Sequence, residues 1–273
     1  MNRRDVLKLT SALVFQAGLS LQCGASTQEP VRNANEFAEE QSGDPDLPLQ
    51  TLTVDLQTVR PLLDIGKSIG IEKDAKQLAD SAIQIAINDS EQTPRPDVPL
   101  IEEYLGLFGV HVRDAKGNVQ PFCAAGLSHA FCRAYCELNP DTLDYPKKQE
   151  RVKTRLRILR DVLADINKFY FLPHCATQQM VLAAKQRNRW APSTFSRADI
   201  KSGWLVFFNW PDKQGHRTGL PNHVGLVEHA ASDRLSTIEY NTAITIAGNQ
   251  REGGHIAKRN RDYDNVLGYI RPY

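Results

Sequence analysis

The sequence predicts an α+β protein: helices in the first half, packed on a C-terminal antiparallel sheet or small barrel. Three observations predict it. Apolar residues recur at helical spacing from Asp74 to Asp89 and again from Val152 to Tyr170. From Leu205 onward, short β-branched or aromatic runs alternate with Gly, Pro, Asn and Asp turns. Helices followed by strands, rather than alternating with them, separate the two kinds of element into an α+β arrangement.

The N-terminus reads as an address rather than as fold. Asn2-Arg-Arg-Asp-Val-Leu-Lys8 precedes a short apolar stretch from Leu9 to Leu21, and Gly24-Ala-Ser26 supplies small residues for cleavage. Residues 1–26 resemble a twin-arginine export signal, which implies an exported protein, periplasmic or secreted. Residues 27–55 are rich in Gln, Glu, Asn, Asp, Pro and Ser and read as a flexible linker, so the folded domain is expected over 56–273. A formal net charge of +1 gives no basis for nucleic acid as the main partner. No apolar run reaches the length of a membrane span, so no stable membrane insertion is expected.

Within the domain, Ala75, Leu78, Ala79, Ala82, Ile85 and Ala86 mark the first helix. The Pro-rich turn Thr93–Pro99 ends it, and a second helix is expected over Leu100–Phe108. Asp114–Asn118 is a polar turn. Pro121 then suits the approach to a helix, where its missing N–H costs nothing, and Leu127, Phe131, Ala134 and Leu138 continue at helical spacing. Cys123 therefore falls at the first turn of a buried helix, where unpaired N–H groups and the helix dipole favour a nucleophilic thiolate. Residues 147–172 read as a helical insertion with one apolar and one basic face. The basic face is either solvated or a contact surface for an anionic polymer. Five strands are expected: Leu205–Trp210, His223–His229, Leu235–Thr242, His255–Arg261 and Val266–Arg271.

The chemistry-bearing residues fall in a telling order: Cys123 on a helix, His223 on one strand, Glu239 and Asn241 on the next. Residues two apart on a strand share a face, so Glu239 and Asn241 point the same way. If the two strands pair, His223 lies between Cys123 and that face. A nucleophilic thiol needs such a base, and the base needs a third group to hold its ring and tautomer.

With these residues the chain resembles the CHAP family, the cysteine- and histidine-dependent amidohydrolases and peptidases. The resemblance rests on Ala82–Ala86, Ile101-Glu-Glu-Tyr-Leu105, Pro121-Phe-Cys-Ala-Ala125, Leu205–Trp210, His223-Val-Gly-Leu-Val-Glu228, Thr237-Ile-Glu-Tyr-Asn-Thr242 and Gly268-Tyr-Ile-Arg-Pro272. It implies a papain-like fold without a cofactor and hydrolysis of an amide bond in peptidoglycan. The bond is that of an N-acetylmuramoyl-L-alanine amidase or of a stem- or crosslink-cleaving endopeptidase. It also implies Cys123 as nucleophile, His223 as base, and Glu239 as orienting residue with Asn241 in support. Phe122 departs from the tryptophan common before the family's cysteine. The backbone N–H of Cys123 is expected in an oxyanion hole, with Gln120 as a further donor by proximity. The alternatives are a non-catalytic wall-binding module on the same fold and a cysteine protease acting on proteins.

Cys132 and Cys136 stand one helical turn apart, and Cys175 follows the insertion. Together with His129 and His174 they are one reading of a metal site, but standard zinc spacings are absent. A cystine joining Cys175 to Cys136 or Cys132 is the preferred reading, and no metal site is expected. Apart from His223, the histidines read as ordinary.

Overall fold

The computed structural model describes residues 69–140, 152–165, 168–212, 214–245, 250 and 253–271. The expected export signal, the expected linker and the expected domain start at residue 56 lie outside the described residues. The element order is α1 (Ile69–Gln92), α2 (Val98–Gly106), α3 (Cys123–Leu138), α4 (Val152–Leu163), α5 (Thr177–Gln186), β1 (Trp190–Pro192), β2 (Leu205–Phe208), β3 (His223–Ala230), β4 (Leu235–Thr242), β5 (His255–Arg261) and β6 (Val266–Ile270). Helices precede strands, and every strand pair is antiparallel, so the α+β class holds.

The six strands run in the order β1-β6-β2-β3-β4-β5, one more than expected. The extra strand is β1, three residues ending in Pro192 and paired with β6 through Trp190 and Ile270. A proline is tolerated there because an edge strand has one side free of the ladder. Along β2 the side chains alternate: Leu205 and Phe207 join the core under the helices, whereas Val206 and Phe208 pack with Trp204, Val227 and Tyr269 on the other face.

α2 begins two residues earlier than expected. The Asp97 carboxylate accepts from the Leu100 N–H at 3.0 Å, and Pro99 sits in the first turn, where a helix needs no N–H from it. The inserted helix is shorter than its apolar pattern suggests. α4 ends at Leu163, and Phe169, Tyr170 and Phe171 are all buried around Phe131. Three consecutive buried aromatics cannot share one helical stripe, so the chain leaves the helix to bury them. Residues 147–151 of the expected insertion lie outside the described residues. α5 was not foreseen; the Ala176 N–H just before it donates to the His174 ring at 2.9 Å, and Thr177 Oγ1 donates to the Pro221 carbonyl at 2.7 Å. That last bond anchors the chain just ahead of β3.

Candidate active site

α3 packs across β3 and β4, and its close approach depends on Gly126. A Cβ at that position would lie 2.5 Å from the Tyr240 ring on β4. One turn earlier stands Cys123, the first residue of α3 and buried. Phe122 occupies the N-cap and makes no side-chain capping bond among the described residues. The first-turn N–H groups are thus left without the side-chain oxygen that typically stabilises a helix start by about 1 kcal/mol. They remain available to a developing negative charge beside the thiol.

His223 opens β3 and is fully buried. Its Nε2 lies 2.9 Å from Glu239 Oε2 on the neighbouring strand. With Nε2 committed to the carboxylate, Nδ1, which has no hydrogen-bond partner among the described residues, is the nitrogen left for the thiol. Burial alone would depress the pKa of the ring. The Cys123 thiol and the Glu239 carboxylate outweigh burial and push it up to about 9. Gly225 makes the alignment sterically possible, because a Cβ there would lie 2.9 Å from Glu239 Cγ. The glycine two residues after the histidine is therefore part of the site.

Glu239 is the most heavily bonded carboxylate of the site. Oε1 accepts from Thr237 Oγ1 at 2.7 Å and from Arg261 Nε at 2.7 Å, while Oε2 also accepts from Arg261 Nη2 at 2.5 Å. Burial opposes ionisation, yet Arg261 and His223 hold the carboxyl far below the usual carboxylate range. Arg261 was absent from the sequence-level site. Its signal was weak: a charged residue, like Arg259, on one face of β5, next to the strand that carries Glu239.

Asn241 behaves differently from the expectation. Neither ring nitrogen of His223 bonds to it; its Oδ1 accepts from the Gly254 N–H at 3.2 Å. The cause is a break in the pleat. The β4–β5 register shifts between Glu239 and Thr242, and Asn241 adopts a left-handed backbone with φ of 57°. Strict two-residue alternation therefore no longer applies. Asn241 holds the turn that follows β4. Gln120 is also engaged elsewhere, its amide donating to the His111 carbonyl at 3.0 Å.

The expected Cys136–Cys175 cystine does not form. Cys132 and Cys136 are free buried thiols, whose pKa burial pushes up, that of Cys136 to about 11. The segment before Cys175 docks at Ser128, whose hydroxyl meets the His174 carbonyl and N–H at 3.1 Å each. Cys136 lies eight residues further along the helix, roughly 12 Å at the helical rise, beyond what a cystine spans. Cys175 is itself disulfide-bonded, and not to either of these thiols. Among the described residues no group of three or more His, Cys, Asp or Glu side chains is arranged to hold a metal ion. Nor is any helix among them long and apolar enough to cross a membrane.

A second buried cluster, missed in the sequence, lies between α2, α3 and α4. His129 Nε2 is 3.2 Å from Glu103 Oε1, and Arg155 grips the same carboxylate through Nε at 3.0 and 3.1 Å and Nη2 at 2.5 Å. Arg160 adds a bond to the Gly106 carbonyl. Two arginines of the basic face thus fasten α4 to α2, so that face is not wholly given to solvent.

No family model and no curated protein matches this chain. Among solved structures it is similar to the crystal structure of Ly7917, at 19% identity and a TM-score of 0.26, over 55% of this chain and 52% of that one. The fold class therefore rests on the elements described above.

Proposed function

We propose that this protein is an exported cysteine amidohydrolase or endopeptidase of the CHAP type, on a papain-like fold, that cleaves an amide bond in peptidoglycan. The observation that carries the reading is the buried His223 ring, bonded to Glu239 at 2.9 Å on one side and beside the Cys123 thiol at the start of α3 on the other. A thiol at a helix start, a base beside it and a fixed carboxylate behind the base are what acyl transfer through sulfur requires.

Cys123 Sγ attacks the amide carbonyl carbon while its proton resides on His223. The carbonyl oxygen, now negative, meets the uncapped N–H groups at the start of α3. His223 gives its proton to the departing amine, the C–N bond breaks, and a thioester remains on Cys123. Water then loses a proton to His223 and attacks the thioester; the C–S bond breaks, releasing a carboxylic acid and restoring the thiol. Glu239 stays ionised throughout and holds the ring.

The deciding experiment is digestion of purified peptidoglycan with the mature protein, followed by identification of the released ends. New amino termini or free muramoyl carboxylates are expected, and none from Cys123→Ala. An intact wall after prolonged digestion, with a protein substrate cleaved by the same thiol, would transfer the assignment to proteolysis.

A further inference from the structure

Glu239 has little acceptor capacity to spare. Each of its oxygens accepts two hydrogen bonds, and two of the four come from one guanidinium. A carboxylate oxygen has about two lone-pair sites, so both are filled. Arg261 is itself immobilised: Nη1 donates to Gln250 Oε1 at 2.5 Å, Nη2 to Thr242 Oγ1 at 2.9 Å, and the guanidinium lies 4.9 Å from the centre of the Trp210 ring. This is a buried, multiply bonded arginine in no motif of the sequence, one residue removed from contact with the base.

Resting on the reading of Cys123 and His223 as nucleophile and base, we propose that Arg261 is a positioning residue that keeps the triad's proton on His223. Two resting arrangements compete for a buried Cys–His–Glu set. The ring is charged between an anionic sulfur and an ionised Glu239, or Glu239 takes up a proton, no longer holds the imidazolium, and the ring's own proton returns to the thiol. The second arrangement would leave the Arg261 guanidinium buried without a counter-charge, at a cost that typically outweighs a hydrogen bond. It would also weaken two charge-assisted bonds at once. The charged and titratable groups facing Glu239 among the described residues are His223 from β3 and Arg259 and Arg261 from β5, with Cys123 from α3 beside the His223 ring. Arg259 faces the same carboxylate but spends Nη1 on the Ile244 carbonyl at 2.6 Å, so Arg261 alone makes the bidentate contact. Its role is to make the neutral-ring state unfavourable, leaving Cys123 beside an imidazolium.

The test uses the full chain and needs no knowledge of the wall substrate. Iodoacetamide alkylates Cys123 with loss of iodide, and mass mapping separates that site from Cys132 and Cys136. In the parent protein the rate at Cys123 should persist at mildly acidic pH, and ¹⁵N spectra should show both His223 nitrogens protonated at neutral pH. Arg261→Gln should cut the alkylation rate near pH 6 by roughly tenfold or more, with recovery as pH rises. Arg261→Lys, which keeps the charge, should restore most of it. An unchanged pH profile in Arg261→Gln would overturn the proposal, as would a singly protonated His223 ring in the parent at neutral pH. If Arg261→Gln fails to fold, the parent spectrum and the lysine variant decide between the two. Peptidoglycan left intact by a protein with the expected alkylation profile would sink the substrate reading and leave this one standing.

Discussion

The protein contains the same buried trio twice, with opposite results. His223, Glu239 and Arg261 meet under the sheet, and His129, Glu103 and Arg155 meet between three helices. In both, histidine Nε2 faces a carboxylate that an arginine grips through Nε and Nη2. In both, the carboxyl is held down against the effect of burial, Glu103 to about 2 by His129 and Arg155. The histidines diverge. His223 is pushed up to about 9, whereas burial outweighs Glu103 and lowers His129. What differs is the far side of the ring. His223 has a thiol there; His129 has the edge of the Tyr104 ring at 4.9 Å between centroids. A buried His–Glu–Arg cluster is therefore not by itself a reactive site. The thiol beside His223 raises the pKa of that ring, and the cluster without a thiol fastens helix α4 to α2.

The largest effect should come from the reacting groups. Cys123→Ala and His223→Ala should bring turnover to background, a loss of about 10³-fold or more, while leaving the circular dichroism unchanged. His129→Gln should keep turnover within a few-fold of the parent. Loss of activity in that variant with the fold intact would break the comparison.

Glutamate changes should split activity from stability. Glu239→Gln keeps the shape but removes the charge behind the imidazolium, and should lose activity by orders of magnitude. Glu103→Gln should leave kcat nearly unchanged and instead cost about 1–3 kcal/mol in urea titration, because the charge that Arg155 and His129 meet at the buried carboxylate is lost. An inactive but fully stable Glu103→Gln protein would place the second cluster in catalysis.

The pH dependence should have opposite sign at the two histidines. His223, raised above its unfolded value near 6.5, contributes stability that is fully present below pH 6.5 and is lost as pH rises through about 9. Its size is on the order of 3 kcal/mol. His129 is lowered, so it binds its proton less readily folded than unfolded, and stability is lost as pH falls below about 6.5. Urea midpoints of the parent, His223→Gln and His129→Gln across this range would show the two contributions in separate windows; a shared window would remove the distinction.

The smallest effect is expected at Asn241. Asn241→Ala removes the bond to Gly254 and puts alanine in a left-handed conformation, costing about 1–2 kcal/mol of stability. Activity should fall by roughly tenfold at most, through the turn after β4 rather than through His223. A crippled but stable Asn241→Ala enzyme alongside an active Glu239→Gln one would exchange their roles.

By itself the sequence determined what depends on neighbours a few residues apart. Pro121 and the helical spacing after it set Cys123 at a helix start, and β-branched runs with turns set His223 and Glu239 on adjacent strands. These are local signals, and strand pairing between β3 and β4 needs only a short turn. The register and the docking of elements were decided in three dimensions. Arg261 stands 22 residues from Glu239 and Arg155 stands 52 from Glu103, and no periodicity announces either pair. Asn241 bonds Gly254 rather than His223 because a bulge ends the alternation that placed it beside Glu239. The proposed cystine failed for a related reason: sequence spacing ordered the cysteines along the chain, but only packing decided which turn of α3 the Cys175 segment meets. Local geometry brings the nucleophile and base to their elements. Long-range packing shifts the two histidines in opposite directions, because desolvation and counter-charge exist only once the elements have packed.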